Sequence, residues 1–327
     1  MRPNADLRRY FLLSYSIMLT LDKISKSFGK VKAVDELAFS ISKGEVIGFL
    51  GPNGAGKTTT MRIIAGVLEP DKGEITFDGQ NALEDPQSIK KRLGYLSENN
   101  PLHEDLLVTQ ALHYTAALHG MWGADKKSAV ERAIGLAGLE KVWRRPIAEL
   151  SKGFRQRVGL AQAIVGDPDL LIFDEPTEGL DPNQRHEIRE LIKRLGREKT
   201  VLLSTHVLTE VAMTCSRVIV IREGRIVADG TVDELEHRAS GEKRTLVEAQ
   251  GNGIREALEK LEGVARVEAI EGNQKNKFKR YELLTPRDID IRTAVFQCAV
   301  EHRWVIAELY EEEKSLEEVF RELTVEQ

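Results

Sequence analysis

At 327 residues the chain is large for one domain and suits a main domain with a smaller companion. Hydrophobic residues at 41% and charged residues at 30% are those of a soluble globular fold, and a net charge of -5 gives no general attraction to nucleic acid. Cys215 and Cys298 form no CxxC pair, so neither a disulfide framework nor a zinc site is expected, and a reducing cytosol fits.

In chain order, the first feature is the apolar run "YFLLSYSIMLTL", Tyr10 to Leu21, which falls short of the ~20 residues needed to cross a bilayer. Arg8 and Arg9 precede it as in a signal peptide, but no small-residue cleavage site follows. Residues 1–17 are therefore expected to be a loose extension, with Met18 opening the first strand. From there to about Val232, β-rich runs alternate with helical patterns, as in an α/β sheet. "EVIGFLG", "EITFDG", "DLLIFDEP", "TVLLSTH" and "RVIVIREG" read as its strands, several apolar throughout, as strands covered on both faces should be. Between Pro101 and Val165 the strand signals vanish, and Val108–Gly120 and Lys126–Gly138 carry apolar residues at helical spacing. A helical insert over about 98–165 is predicted.

"IREGRIVADG" reads as a hairpin turning at Glu223-Gly224, and the helix "TVDELEHRA" then leads into the polar stretch "SGEKR". The boundary is placed near Ser240, giving a main domain over 18–240 and an accessory domain over 241–327. The accessory pattern is strand (Thr245–Gln250), helix (Ile254–Leu261), strand (Ala265–Ile270), strand (Phe278–Leu284), helix (Ile291–His302), strand (Val305–Tyr310). That βαββαβ order predicts a small ferredoxin-like α+β unit. A last amphipathic helix, "SLEEVFRELT", closes the chain.

The chemistry begins at "FLGPNGAGKTTT". Gly51, Gly56, Lys57 and Thr58 satisfy G-x-x-x-x-G-K-[ST], with a strand before and a helix after. Glycines let backbone N–H groups curl round phosphate oxygens, and the helix starting near Lys57 points its positive end at them. Lys57 can neutralise the β- and γ-phosphates, and Thr58 offers a hydroxyl to Mg²⁺; Pro52, Asn53, Gly54, Ala55 and Thr59 complete the expected cradle. A metal-holding acid is required at a neighbouring strand end. "LLIFDEP" supplies Asp174 for Mg²⁺ and, one residue on and pointing differently, Glu175 to polarise the attacking water.

Small-molecule kinases, GTPases and motor ATPases share these two elements, and the rest of the chain discriminates among them. From about Leu19 to Val232, in motif order, the sequence resembles the nucleotide-binding subunit of ATP-binding-cassette (ABC) transporters. "ELSKGFRQRVGLAQAI" resembles that family's signature segment, standing just before the Asp174 strand as it does there. Ser151 at a helix start, with Gly153 nearby, makes a second anion site reasonable, and Phe154, Val158, Ala161 and Val165 form the stripe behind it. The resemblance implies a P-loop ATPase core that uses ATP and Mg²⁺. It also implies a homodimer in which each nucleotide lies between one phosphate loop and the opposing signature segment.

"EGLDP", with Gly179, Leu180 and Asp181, resembles the D-loop that crosses this interface, and His206 in "STH" falls where the family's switch histidine touches the γ-phosphate. Phe28 in "KSFGKV" falls at the adenine-stacking position. Two departures stand out. Lys152 and Phe154 replace the commonest signature residues, and Glu98 stands where many members have the glutamine that links Mg²⁺ to the helical insert.

Glu98, the single nucleotide-binding unit and the C-terminal appendage resemble the ATPase subunits of ABC-2 type exporters, with a leaning toward the gliding-motility-associated subgroup. That resemblance implies a peripheral subunit on the cytoplasmic face, acting on a separate membrane permease and not on nucleic acid. Two other readings stay open at this point. One is a soluble ABC ATPase acting on ribosomes or chromosomes. The other is a P-loop kinase, which leaves the signature segment, D-loop and His206 without a role.

Overall fold

The computed structural model describes residues 17–239, 242–270, 278–286, 289–312 and 318. The expected loose extension and the closing helix "SLEEVFRELT" lie essentially outside the described residues. Two compact units divide between Thr231 and Val232, ahead of the expected boundary at Ser240, because the helix Val232–Ala239 groups with the second unit.

The first unit holds two sheets. Strands β1 (Ile17–Phe28), β2 (Val31–Ser42), β4 (Lys72–Phe77) and the two-residue β5 (Gln80–Asn81) form an antiparallel sheet in the order β2-β1-β4-β5. Strands β3 (Val46–Leu50), β6 (Leu93–Leu96), β7 (Leu170–Asp174), β8 (Thr200–Thr205), β9 (Arg217–Arg222) and β10 (Arg225–Gly230) form the second, in the order β10-β9-β3-β8-β7-β6. All its pairings are parallel except the β9–β10 hairpin, which turns through Glu223 and Gly224, both at positive φ.

The segment "EITFDG", read above as a strand of the α/β sheet, thus belongs to the antiparallel one. Its apolar residues alternate, with Ile75 and Phe77 buried and Glu74 exposed, as a strand facing one core requires. The strand Leu93–Leu96 has too few residues to stand out in the sequence.

The parallel sheet divides two cores by the two-residue period of its strands. Leu170 and Ile172 of β7 pack with Leu19, Leu21, Phe39 and Phe77 of the antiparallel sheet. Leu171 and Phe173, on the opposite face, join the helical side with Val158, Ile188 and Leu203. Burial on both faces is why β7 is apolar from Leu170 to Phe173. Arg92 ties the two sheets: its guanidinium reaches Asp78 after β4 at 2.5 Å and Asp169 before β7 at 2.5 Å, over the Phe77 ring. Helices Val108–Leu118, Gly123–Ala137 and Lys152–Ile164, which follow β6 and precede β7 along the chain, pack together in one core, as the helical spacing predicts.

The second unit carries β11 (Glu242–Gln250), β12 (Arg266–Ile270), β13 (Lys279–Pro286) and β14 (Val305–Glu312) in the order β12-β13-β11-β14, every neighbour antiparallel. This is the strand order of a ferredoxin-like split βαβ arrangement. Val247 and Ala249 face helices Ile254–Leu258 and Arg292–His302 through Leu258, Val295 and Ala299. The first of these helices stops at Leu258, one turn earlier than its sequence suggests. No helix among the described residues is long and apolar enough to cross a membrane.

Candidate functional site

The C-terminal ends of β3, β7 and β8 place Gly51, Glu175 and His206 at one edge of the parallel sheet. After β3 the chain turns close against its neighbour β9 before it enters a helix. A Cβ on Gly51 would lie 2.4 Å from the Ile221 carbonyl oxygen. Gly56 has φ +104 and a Cβ there would lie 2.3 Å from the Ala33 carbonyl oxygen, so only glycine passes at the helix start. The helix Lys57–Ile64 then begins with no side-chain cap, leaving its first N–H groups directed at whatever enters the turn.

A cavity of about 370 Å³ lies over this turn, lined by Phe28, Asn53, Gly54, Gly56, Lys57, Thr58, Thr59, Glu98 and Glu175 together with Ala33 and Glu178. Phe28, at the end of β1, is half exposed, and its ring is open to a flat partner. Ala33 and Glu178 were not among the expected site residues. Ala33 is brought there by the antiparallel sheet, and Glu178 by the turn after Glu175.

The charges are concentrated beneath the cavity. Lys57 Nζ donates to the carbonyls of Gly51 at 2.8 Å and Pro52 at 3.2 Å and lies 3.4 Å from Glu175 Oε1, with both side chains nearly buried. Glu175 Oε2 lies 3.0 Å from His206 Nδ1. Glu175 itself sits at φ 47, a left-handed conformation unusual for a glutamate. Its N–H is held by Ser204 Oγ at 3.0 Å and by the Ser204 carbonyl at 3.2 Å, which supports the strained turn.

Asp174 is fully buried, and its Oδ1 accepts from Ser204 Oγ at 2.5 Å and from Thr58 Oγ1 at 3.3 Å. Burial pushes its carboxyl above the usual range; the Ser204 and Thr58 hydrogen bonds oppose this, and the charges of Glu98 and Glu175 reinforce it. Asp174 Oδ2 has no hydrogen-bond partner among the described residues. Thr58 Oγ1 also reaches Glu98 Oε2 at 3.4 Å. A buried carboxylate oxygen without a donor, a hydroxyl and a second carboxylate make an all-oxygen set that fits a hard divalent cation such as Mg²⁺. No group of three or more His, Cys, Asp or Glu suited to a metal occurs among the described residues. A cation completed by phosphate oxygens and water needs no such group.

Ser151, Gly153 and Asp181 do not line this cavity. Ser151 caps the helix Lys152–Ile164, its Oγ accepting from the Phe154 N–H at 3.4 Å, and Asp181 caps Pro182–Gly196 through the Gln184 N–H at 3.0 Å. Gly153 is buried against the Gln184 side chain, and the Lys152 ammonium lies against Gly179, which joins the signature and D-loop segments. Asn100, which no motif singles out, donates from Nδ2 to the Arg155 carbonyl at 2.9 Å. Gly159 gives it room, since a Cβ there would meet Asn100 Oδ1 at 2.2 Å. The segment after Glu98 is thereby pinned to the signature helix.

The chain is similar to known proteins over most of its first unit. The family model for ABC transporters matches residues 34–178. The ABC transporter ATP-binding protein NatA of Bacillus subtilis is 39% identical over 224 residues, covering 67% of this chain and 91% of its own length. The Nod factor export ATP-binding protein I of Paraburkholderia xenovorans is 40% identical over 218 residues, 66% of this chain and 72% of its own. A dimeric structure of a bacterial ABC transporter cassette superimposes with a TM-score of 0.61 at 25% identity, covering 65% of this chain and 98% of that one.

Proposed function

The chain belongs to the ATP-binding subunits of ABC transporters, and from that membership we propose that two copies close head to tail around ATP to drive export through an ABC-2 type permease. It is an ATPase that uses ATP and Mg²⁺. The observation that carries the mechanism is the Glu175 carboxylate, held between the Lys57 ammonium and the His206 ring at the mouth of the phosphate loop. A group placed there can orient a water and take up its proton, while the lysine stabilises phosphate charge.

In the proposed reaction, water attacks the γ-phosphorus, the bond to the β–γ bridging oxygen breaks, and the ADP oxygen leaves with the electron pair. Glu175 orients the water and receives its proton, which passes on to the phosphate product; His206 contacts the γ-phosphate and steadies Glu175. Thr58, Asp174 and Glu98 hold Mg²⁺, which when bound supplies Lewis-acid neutralisation of the phosphate oxygens. Phe28 stacks on the adenine. Pro52, Asn53, Gly54, Ala55, Gly56 and Thr59 wrap the phosphates. Ser151 and Gly153, which are not part of the same chain's cavity lining, complete the site of the second copy, with Asp181 crossing beside them. The dimeric state of the related cassette supports this arrangement.

Export is supported by a relative that is an export protein by name; a place on the cytoplasmic face belongs to the proposal, as the side on which a subunit that takes ATP would meet its permease. The permease docks near Glu98–Asp105, where Pro101, His103, Glu104 and Asp105 are exposed next to the Asn100 link to the signature helix. The test is Glu175→Gln in the full chain. It should bind ATP, accumulate as a dimer by analytical ultracentrifugation and lose at least about 100-fold in turnover. Brisk hydrolysis by that variant refutes Glu175 as the base, and ATP-independent association refutes nucleotide-driven closure.

A further inference from the structure

Glu210 lies in the helix Leu208–Thr214, just beyond His206, and only 2% of it is exposed. Its neighbours on that helix, Leu208 and Val211, are apolar and buried, and Val211 packs over Gly48 of β3. A carboxyl in such a place is costly, and a leucine of similar size would fill the volume with less penalty. Its partners account for its presence. Oε2 accepts from Thr177 Oγ1 at 2.6 Å and from Thr205 Oγ1 at 3.4 Å, both threonines being buried. Thr205 Oγ1 in turn accepts from the Val207 N–H at 3.0 Å, so its own hydrogen is directed to Glu210. Oε1 has no hydrogen-bond partner among the described residues.

Each threonine belongs to a different part of the site. Thr177 follows the strained Glu175 by two positions and opens the turn toward Gly179 and Asp181, while Thr205 immediately precedes His206. The backbone ladder between β7 and β8 ends with Asp174 opposite Ser204. Beyond it, the two chain ends that carry Glu175 and His206 are joined through Ser204 Oγ on one side and through Glu210 on the other.

We infer that Glu210 is a positioning residue for hydrolysis, a buried brace that fixes the spacing between the Glu175 turn and His206 and ties both to the D-loop. It touches neither substrate nor metal in this reading. The inference rests on Glu175 and His206 being the hydrolytic pair. A brace of this kind acts on kcat, because displacing a catalytic group by about 1 Å costs on the order of 100-fold in rate while nucleotide binding at the phosphate loop persists.

The experiment uses the full chain with Glu210→Ala, Glu210→Gln, Thr177→Val and the Glu210→Gln/Thr177→Val double variant, beside Glu175→Gln. Steady-state ATPase assays give kcat and KM, and a fluorescent ATP analogue gives affinity. Glu210→Ala should lose about 30–100-fold in kcat with KM and analogue affinity within twofold. Glu210→Gln, whose amide oxygen can still accept from Thr177, should recover to within about fivefold of the parent. Thr177→Val should lose about tenfold, and the double variant should be no worse than Thr177→Val alone, since both cut one brace. If Glu210→Ala does not fold, the glutamine and valine variants carry the test. Unchanged kcat in Glu210→Ala and Thr177→Val, or kcat and affinity falling in parallel with no rescue by glutamine, overturns the brace. Should Glu175→Gln retain full turnover, the underlying hydrolytic assignment fails instead, and the brace fails with it.

Discussion

Ser204→Ala removes one hydroxyl from beneath the site, and its cost can be worked from the contacts. Ser204 is fully buried and donates to Asp174 Oδ1 at 2.5 Å, while its Oγ accepts the Glu175 N–H at 3.0 Å. The second loss is cushioned, because that N–H also reaches the Ser204 carbonyl at 3.2 Å. The first is not: Asp174 Oδ1 keeps only Thr58 at 3.3 Å, and Oδ2 has no donor among the described residues. A charge-assisted hydrogen bond lost in a buried place costs about 1.5–3 kcal/mol, and the small void adds less, for a total of about 2–4 kcal/mol. The pH dependence has a definite sign. Asp174 is already raised by burial, so its carboxylate form disfavours the fold at neutral pH, and that penalty disappears as pH falls through its folded pKa. Losing Ser204 raises it further, so the destabilisation should be largest near pH 7 and shrink on acidification. Urea unfolding at pH 7 and pH 5, with ATPase assays across a Mg²⁺ titration, measures each part. A loss below about 0.5 kcal/mol at pH 7, or one that grows toward pH 5, refutes the assigned role of the hydroxyl.

Further outcomes follow from the same geometry. Asp174→Asn should abolish hydrolysis yet raise the melting temperature of the nucleotide-free protein, because it removes a charge that burial disfavours while keeping the acceptor for Ser204; a lower melting temperature contradicts this. Phe28→Ala should weaken ATP binding by about tenfold and Phe28→Tyr by little, read by calorimetry, if the exposed ring stacks on the base. The Cys215 thiol is pushed up to about 12, mainly by burial and further by Glu210. At pH 9 about one molecule in 1,000 would be thiolate, so iodoacetamide should label Cys215 in the folded protein at least about 100-fold more slowly than in urea, as peptide mass spectrometry will report.

The parts of the molecule that follow local rules could be read directly. The phosphate loop is legible because each residue answers a short-range demand: Gly51 must clear Ile221, Gly56 must take φ +104, and the helix after it must start at Lys57. The Glu223-Gly224 hairpin and the βαββαβ order of the second unit are legible for the same reason, since turn chemistry and two-residue alternation lie within a few positions. The assignment of Lys72–Phe77 to a different sheet was not legible, because pairing with β1 is a long-range choice that a strand pattern does not encode. Ser204 and Glu210 escaped for a related reason. In "TVLLSTHVLTEV" they look like a strand-end hydroxyl and an ordinary helical acid, and only the juxtaposition of β8 with the turn after β7 gives them partners. Asn100 likewise acquires meaning from Gly159, far along the chain.

The phosphate-loop lysine is already engaged, to two carbonyls of its own loop and to Glu175. On the proposed function, an arriving triphosphate would compete with an internal anion for that cation, and part of its intrinsic affinity would go to displacing the resident carboxylate. The same competition would run in reverse once phosphate departs, when Glu175 could recapture the ammonium and hasten the exit of the spent nucleotide. On that reading the pocket would carry a built-in bias toward release, which suits a subunit whose output depends on repeated cycles rather than on tight retention.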